Sequence, residues 1–261
     1  MTHLPLLVWL AFAAPAIDGA KAYQSGTELI GKKQYKEAAA AFEQAAAAGF
    51  RPAISIYNAA CAQARLGDKD AAFKLLDKVA QLGPPLAEQM KGDEDLAALR
   101  DDPRWAKAVD AVDAGRWPCK HDPKSRDFDF CIGDWDVVDA KGNKLGQSHV
   151  DLELGSCVIH ENWKGALGGN GQSFNVWDAG RKQWFQTWVD DSGGMHQYGG
   201  DLKDGAMRFS GELTTRQGQK SRLRMTFTPL PDGRVRQYLE SSTDDGKTWV
   251  AGFDGYYVKK K

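Results

Sequence analysis

Two rhythms of apolar residues divide the chain. From residue 17 to 115 the apolar positions are alanine-rich and fall at helical spacing; from Phe128 onward they alternate with polar residues. Within the first stretch a pattern returns after 34 residues. Ala38, Phe42 and Ala45 come back as Ala72, Leu76 and Val79, while Ala22 and Gly26 come back as Ile56 and Ala60. Small residues let the helices of a hairpin approach closely, and a large one fills the gap to the next pair. Gly31 and Gly67 fall near the expected turns, and Gly83-Pro84 follows the second pair, as helix ends require. A third unit is irregular, interrupted by Lys91-Gly92-Asp93 and Asp101-Asp102-Pro103, where Asp102 is placed to cap a helix beginning at Pro103. The pattern predicts two helical hairpins followed by a capping helix or two.

Residues 116–127 hold two prolines and no periodicity, which reads as a linker. Residues 128–261 then contain about ten strand-like runs. Between them stand turn residues such as Lys141-Gly142-Asn143, Gly168-Gly169-Asn170, Ser192-Gly193-Gly194, Asp204-Gly205 and Pro231-Asp232-Gly233. Short turns imply that each strand pairs with the next. A meander of that length with one apolar face closes on itself to remove its open edges. The expected fold is therefore α+β and multidomain: a short α-solenoid at 17–115, then an up-and-down antiparallel β-barrel.

The richest stretch runs from Ser156 to Asp191 and holds four of the nine tryptophans. Side chains two apart in a strand share a face. Glu161 therefore goes with Trp163, Asn175 with Trp177, Trp184 with Gln186 and Trp188, and His196 with Tyr198. With Trp135 from the first strand, these are the candidate ligand-binding residues. Arg222 and Arg224 share one face of their strand, opposite Leu223 and Met225. A cavity walled by tryptophan, holding one carboxylate, two amides and optionally an arginine, suits an amphipathic ligand with a polar head. The alternative is a solid core of tryptophan with Glu161, Arg222 and Arg224 outside, in which case the protein is a scaffold acting only through its helical repeats.

Composition narrows the function classes. The net charge is −1 and basic residues are dispersed, which argues against nucleic-acid or anionic-membrane partners. The opening MTHLPLLVWLAFAAPA has an apolar core too short to span a bilayer and a small-x-small site at Ala14-Pro15-Ala16. Residues 1–16 are expected to be a signal peptide, making the mature protein periplasmic or secreted, without a membrane span. Export permits disulfides. Among Cys119, Cys131 and Cys157 one bond leaves one thiol free, and spacing leaves the pairing open; Cys119 with Cys157 is the favoured pair. Cys61 reads as a small buried helical residue. No spacing fits a zinc ligand set, so no metal is expected.

Catalytic patterns are sparse. There is no Gly-x-Ser-x-Gly elbow, phosphate loop or His-Glu-x-x-His. Glu161 is the one weak candidate for a general acid or base, as in a hydrolase or isomerase. Its neighbour His160 belongs to the opposite face of the strand and cannot form a simple dyad with it.

Four known families share features with this sequence. The 34-residue period and its small and large positions resemble tetratricopeptide (TPR) repeats, which implies a concave face for a protein partner. The stretches FDFCIGDWDV, GSCVIHENWKG, GQSFNVWD and QWFQTWVDDSGG resemble a bacterial family of lipocalin-like (calycin) barrels, the domain-of-unknown-function 1579 (DUF1579) type. The resemblance covers about residues 117 to 258 and implies a barrel without assigning a reaction. Cys131 departs from it, standing where an aromatic residue is expected. The haem-binding nitrobindins share only the first piece of their Gly-x-Trp-x-Gly-x-Gly pattern with Gly133-Asp134-Trp135, and no Cys-x-x-Cys-His is present, so no cofactor is expected. Finally, Ser242, Asp244, Gly246, Thr248 and Trp249 match the aspartate box of sialidase-type propellers; occurring once, it reads as a structural hairpin.

Overall fold

The computed structural model describes residues 18–214 and 218–260. The expected signal peptide at 1–16 lies outside the described residues. The chain divides into two compact units, the first ending at Arg116 and the second beginning at Trp117.

The first unit is helical. Its helices are α1 (Gly19–Gly31), α2 (Tyr35–Ala47), α3 (Pro52–Leu66), α4 (Lys69–Leu82), α5 (Ala87–Gly92) and α6 (Trp105–Arg116). The first four pack in sequence, α1 on α2, α2 on α3 and α3 on α4, and α6 returns onto α4. The positions that recur in sequence occupy equivalent places. Ala38, Phe42 and Ala45 are buried, as are Ala72, Leu76 and Val79. Gly26 lies against the Phe42 ring, where an added Cβ would come within 2.8 Å. Helix α3 stops at Gly67 and α4 at Gly83, both left-handed. Helix α1 stops differently: Gly31 is its last residue and Lys33 takes the left-handed conformation. Helix α6 also starts later than its proline suggests. Asp102 accepts from the Arg104 backbone N–H, and the regular helix begins at Trp105. Beside Asp102, the Arg104 guanidinium holds its carboxyl well below the usual carboxylate range. Among the described residues no helix is long and apolar enough to cross a membrane.

The second unit opens with two short turns of helix, α7 (Pro118–His121) and a 3-10 segment at Pro123–Arg126. Each begins at a proline, whose φ is preset for a first helical position and whose missing N–H is not needed there. Asp122 caps the second by accepting from the Lys124 N–H at 3.0 Å. Four-residue helices are too short to register as periodicity, so the sequence shows only a loop here. A disulfide joins Cys119 to Cys157 with Cα atoms 4.9 Å apart, and Arg126 donates to the Ser156 carbonyl. Both bonds tie this segment to a turn of the barrel. Cys61 and Cys131 are free.

Ten strands follow: β1 (Gly133–Val138), β2 (Lys144–Glu153), β3 (Val158–Gly165), β4 (Gly171–Asp178), β5 (Gln183–Asp190), β6 (Met195–Lys203), β7 (Ala206–Thr214), β8 (Lys220–Pro229), β9 (Val235–Ser242) and β10 (Val250–Lys259). Every strand pairs antiparallel with its chain neighbour, and β1 pairs with β10 to close the barrel. Aspartates pin four of the turns. Asp139, Asp178, Asp190 and Asp232 each accept a backbone N–H two residues on, at 2.8 to 3.1 Å.

The barrel interior is not uniform along its axis. At one end Phe128, which precedes β1, is buried among Trp184, Phe209 and Phe227, with ring centroids 5.1 to 5.9 Å away. Met207, paired with Phe227 across β7 and β8, is fully buried beside them. The opposite end is open.

Candidate functional site

A polar ladder crosses the middle of the interior. Glu161 on β3 is opposite Val150 of β2 and Ser173 of β4, so it shares their inward face. Ser148 Oγ donates to Glu161 Oε1 at 2.7 Å, and Ser173 Oγ donates to Oε2 at 3.1 Å. The Tyr257 hydroxyl, from β10, reaches Glu161 Oε1 at 3.2 Å and Gln237 Oε1 at 2.6 Å, its single proton serving one of them at a time. Further along, Gln186 Nε2 donates to Asn175 Oδ1 at 2.8 Å, and Asn175 Nδ2 donates to Ser173 Oγ at 3.1 Å. The donors of this chain therefore run in one direction and end on Glu161. Such aligned bonds polarise one another in a low-dielectric interior. Burial pushes the Tyr257 hydroxyl and the Cys131 thiol above their ordinary ranges, and the Glu161 charge adds to both shifts. Neither a tyrosine hydroxyl nor a cysteine thiol can supply a positive charge to the carboxyl group.

Glu161 also lines a cavity of about 220 Å³ at the open end of the barrel. Trp163, Trp188, Tyr198 and Phe253 supply its aromatic wall; Met225 and Leu239 add aliphatic surface. Gln186, Gln237 and His196 are its other polar groups. Burial pushes the Tyr198 hydroxyl up to about 12. Two glycines keep the indoles against the wall. A Cβ on Gly171 would lie 2.3 Å from the Trp188 ring, and one on Gly146 would lie 2.6 Å from the Trp163 ring. Both rings thus rest over bare backbone on a neighbouring strand, and the lumen beside them stays open.

The predicted site residues separate by depth. Glu161, Trp163, Gln186, Trp188, His196 and Tyr198 line the cavity. Asn175 instead borders a narrow void beneath it of about 10 Å³, at the lower limit for one water. Trp184 is fully buried in the packed end, with Trp177 tilted against it at 6.4 Å. Trp135 is buried, donates its indole N–H to the Cys131 carbonyl at 2.8 Å, and packs edge-on to Tyr257. Trp184 and Trp135 belong to the core and Trp177 is partly buried against it, so none of the three lines the cavity. The optional arginine is also absent from the interior. Leu223 and Met225 take the inward face of β8, so Arg222 and Arg224 point out and pair with Asp245 and Glu240. Together with Glu212 and Trp249 they border an external hollow of about 460 Å³, outside the barrel interior.

Several residues of the site escape a sequence reading. Ser148 and Phe253 are recognisable only once their strands are placed opposite Trp163 or beside Leu239. Tyr257 is 96 residues from Glu161 and meets it only because β10 closes onto β1. Outside the barrel, Asp151, Glu153 and His160 bring one donor atom each to within 4.8 Å of one another. His160 is bonded to Glu153 at 2.9 Å and stacked on Phe174 at 4.6 Å. It faces away from Glu161, since residues adjacent in a strand point to opposite sides.

The aspartate-box motif forms a closed local network. Asp244 accepts from the Thr248 backbone N–H at 2.9 Å and from its hydroxyl at 2.6 Å, while the Ser242 hydroxyl bonds Asp244 and accepts from the Gly246 N–H. The Thr248 and Ser242 bonds lower the Asp244 carboxyl to about 2. The three donors that reach its carboxylate all come from within the turn.

No protein-family model matches the chain, and the curated proteins include no significant match to it.

Proposed function

We propose that the barrel is a non-enzymatic binding module for a small amphipathic ligand. The apolar body of the ligand lies along Trp163 and Trp188 and its polar head meets Glu161. The observation that carries this reading is the contrast between the two ends of one interior. The end around Phe128 is packed with rings, whereas the end around Trp188 keeps a 220 Å³ hollow behind glycine-supported indoles. An apolar cavity of roughly 150 Å³ holds benzene, so this one takes a single ring with a short polar tail. The surroundings of Glu161 favour binding over catalysis: it is fixed by hydroxyl donors and lacks a histidine partner on its own strand face.

The rest of the reading places this barrel with the DUF1579-type lipocalin-like domains and the helical unit with TPR-like repeats that engage a protein partner. Its support is the set of quoted barrel motifs and the buried 34-residue period. Export rests on the apolar leader, and a disulfide suits that compartment.

The test uses three single-ring probes: 2-phenylethanol, 2-phenylethylamine and phenylacetate. Native mass spectrometry and tryptophan fluorescence are expected to show saturable one-to-one binding of at least one. Gly171→Val, which drives the Trp188 indole toward the lumen, is expected to abolish that binding while circular dichroism still reports a folded barrel. Failure of all three probes on the wild-type chain, or binding indifferent to Gly171→Val, would sink the reading.

A further inference from the structure

Resting on that reading of the cavity, we propose that the bound head group is a cation: a protonated amine carried on a ring or short aliphatic body. Glu161 is buried, and no Lys or Arg is among the described residues that line the cavity beside its carboxyl group. An isolated buried carboxylate is strongly disfavoured unless hydrogen bonds or an opposite charge compensate it. Here the compensation is partial. The two carboxylate oxygens offer about four acceptor positions, and the hydroxyls of Ser148, Ser173 and Tyr257 occupy at most three. Oε2 accepts from Ser173 alone and retains capacity for one more donor. An ammonium N–H supplies that donor and the missing charge together, as a charge-assisted bond.

The wall points the same way. Trp163, Trp188, Tyr198 and Phe253 surround the space beside Glu161, and the faces of such rings attract cations, most strongly when water is excluded. An anionic head would meet the Glu161 charge, and a neutral alcohol would supply the hydrogen bond without the charge. The remaining ionisable groups of the lining, His196 and Tyr198, are within 3.4 Å of each other and form part of the same wall.

Titration calorimetry of the full-length protein with the three probes at neutral pH separates the classes. The ammonium of 2-phenylethylamine is expected to bind about tenfold more tightly than the isosteric 2-phenylethanol, with phenylacetate weakest. Glu161→Gln is expected to erase the difference between amine and alcohol while leaving alcohol binding in place. Equal or tighter binding of the alcohol or phenylacetate overturns the cationic assignment and leaves the binding reading standing. No binding of any probe removes both. If Glu161→Gln does not fold, the wild-type ranking of the three probes still decides the matter.

Discussion

Phe128→Ala is expected to lower the unfolding free energy of the barrel by about 3–5 kcal/mol, the range for deleting a buried aromatic ring. Phe128 is 2 % exposed and makes edge contacts with Phe130, Trp184, Phe209 and Phe227. No other residue of its short segment enters that ring cluster so deeply, and a large side chain removed from it leaves a hole that the closed strand wall cannot collapse to fill. Dispersion contacts are then lost on several rings at once. Urea denaturation followed through tryptophan fluorescence measures the loss. Fluorescence is informative because Trp184 borders the hole directly. A loss below about 1 kcal/mol would show that Phe128 lies loosely on the barrel mouth, since even a single buried methylene is worth nearly that much. The same variant is expected to leave probe affinity at the open end within about twofold, because sites that share no partner act nearly independently.

Removing the Cys119–Cys157 bond is expected to cost about 4 kcal/mol, the chain-entropy value for a loop of this separation of 38 residues. For a unit of this size that corresponds to a fall in Tm on the order of 10 °C. The tether matters because the segment it holds, residues 118–126, has only two short helical turns of its own. Without it, that segment depends on the Arg126 bond to Ser156 and on the packing of Phe128. Differential scanning calorimetry with and without a reducing agent, repeated on Cys119→Ser/Cys157→Ser, checks the value. The barrel transition is expected to move and the helical one to stay, because no cysteine of the disulfide lies in the helical unit. An unchanged barrel transition would mean that the bond does not restrain the unfolded chain.

The helical unit and the strand order were both open to a reading of residues alone. Ala38, Phe42 and Ala45 and their counterparts 34 residues on mark buried positions because helix packing is periodic and local. Turn residues such as Asp139 and Asp232 mark strand ends because their side chains satisfy backbone groups within the same few residues. The short helices at 118–126 are hidden by the same logic in reverse: proline, which breaks a helix interior, here starts one. The termination of α1 at Lys33, two residues beyond Gly31, shows a stop carried out by a residue that composition does not advertise.

Alternation in a strand determines which side chains share a face, and this by itself paired Glu161 with Trp163 and Trp184 with Trp188. It carries no information about depth. Depth follows from how ten tilted strands are staggered around a closed wall, so that Trp184 falls in the packed end and Trp188, four residues on, beside an open cavity. Only closure of β10 onto β1 brought Tyr257 to Glu161, and only the inward choice of Leu223 and Met225 sent Arg222 and Arg224 outside. Periodicity is a property of neighbours along the chain; enclosure is a property of the whole barrel, and the character of the site belongs to the second.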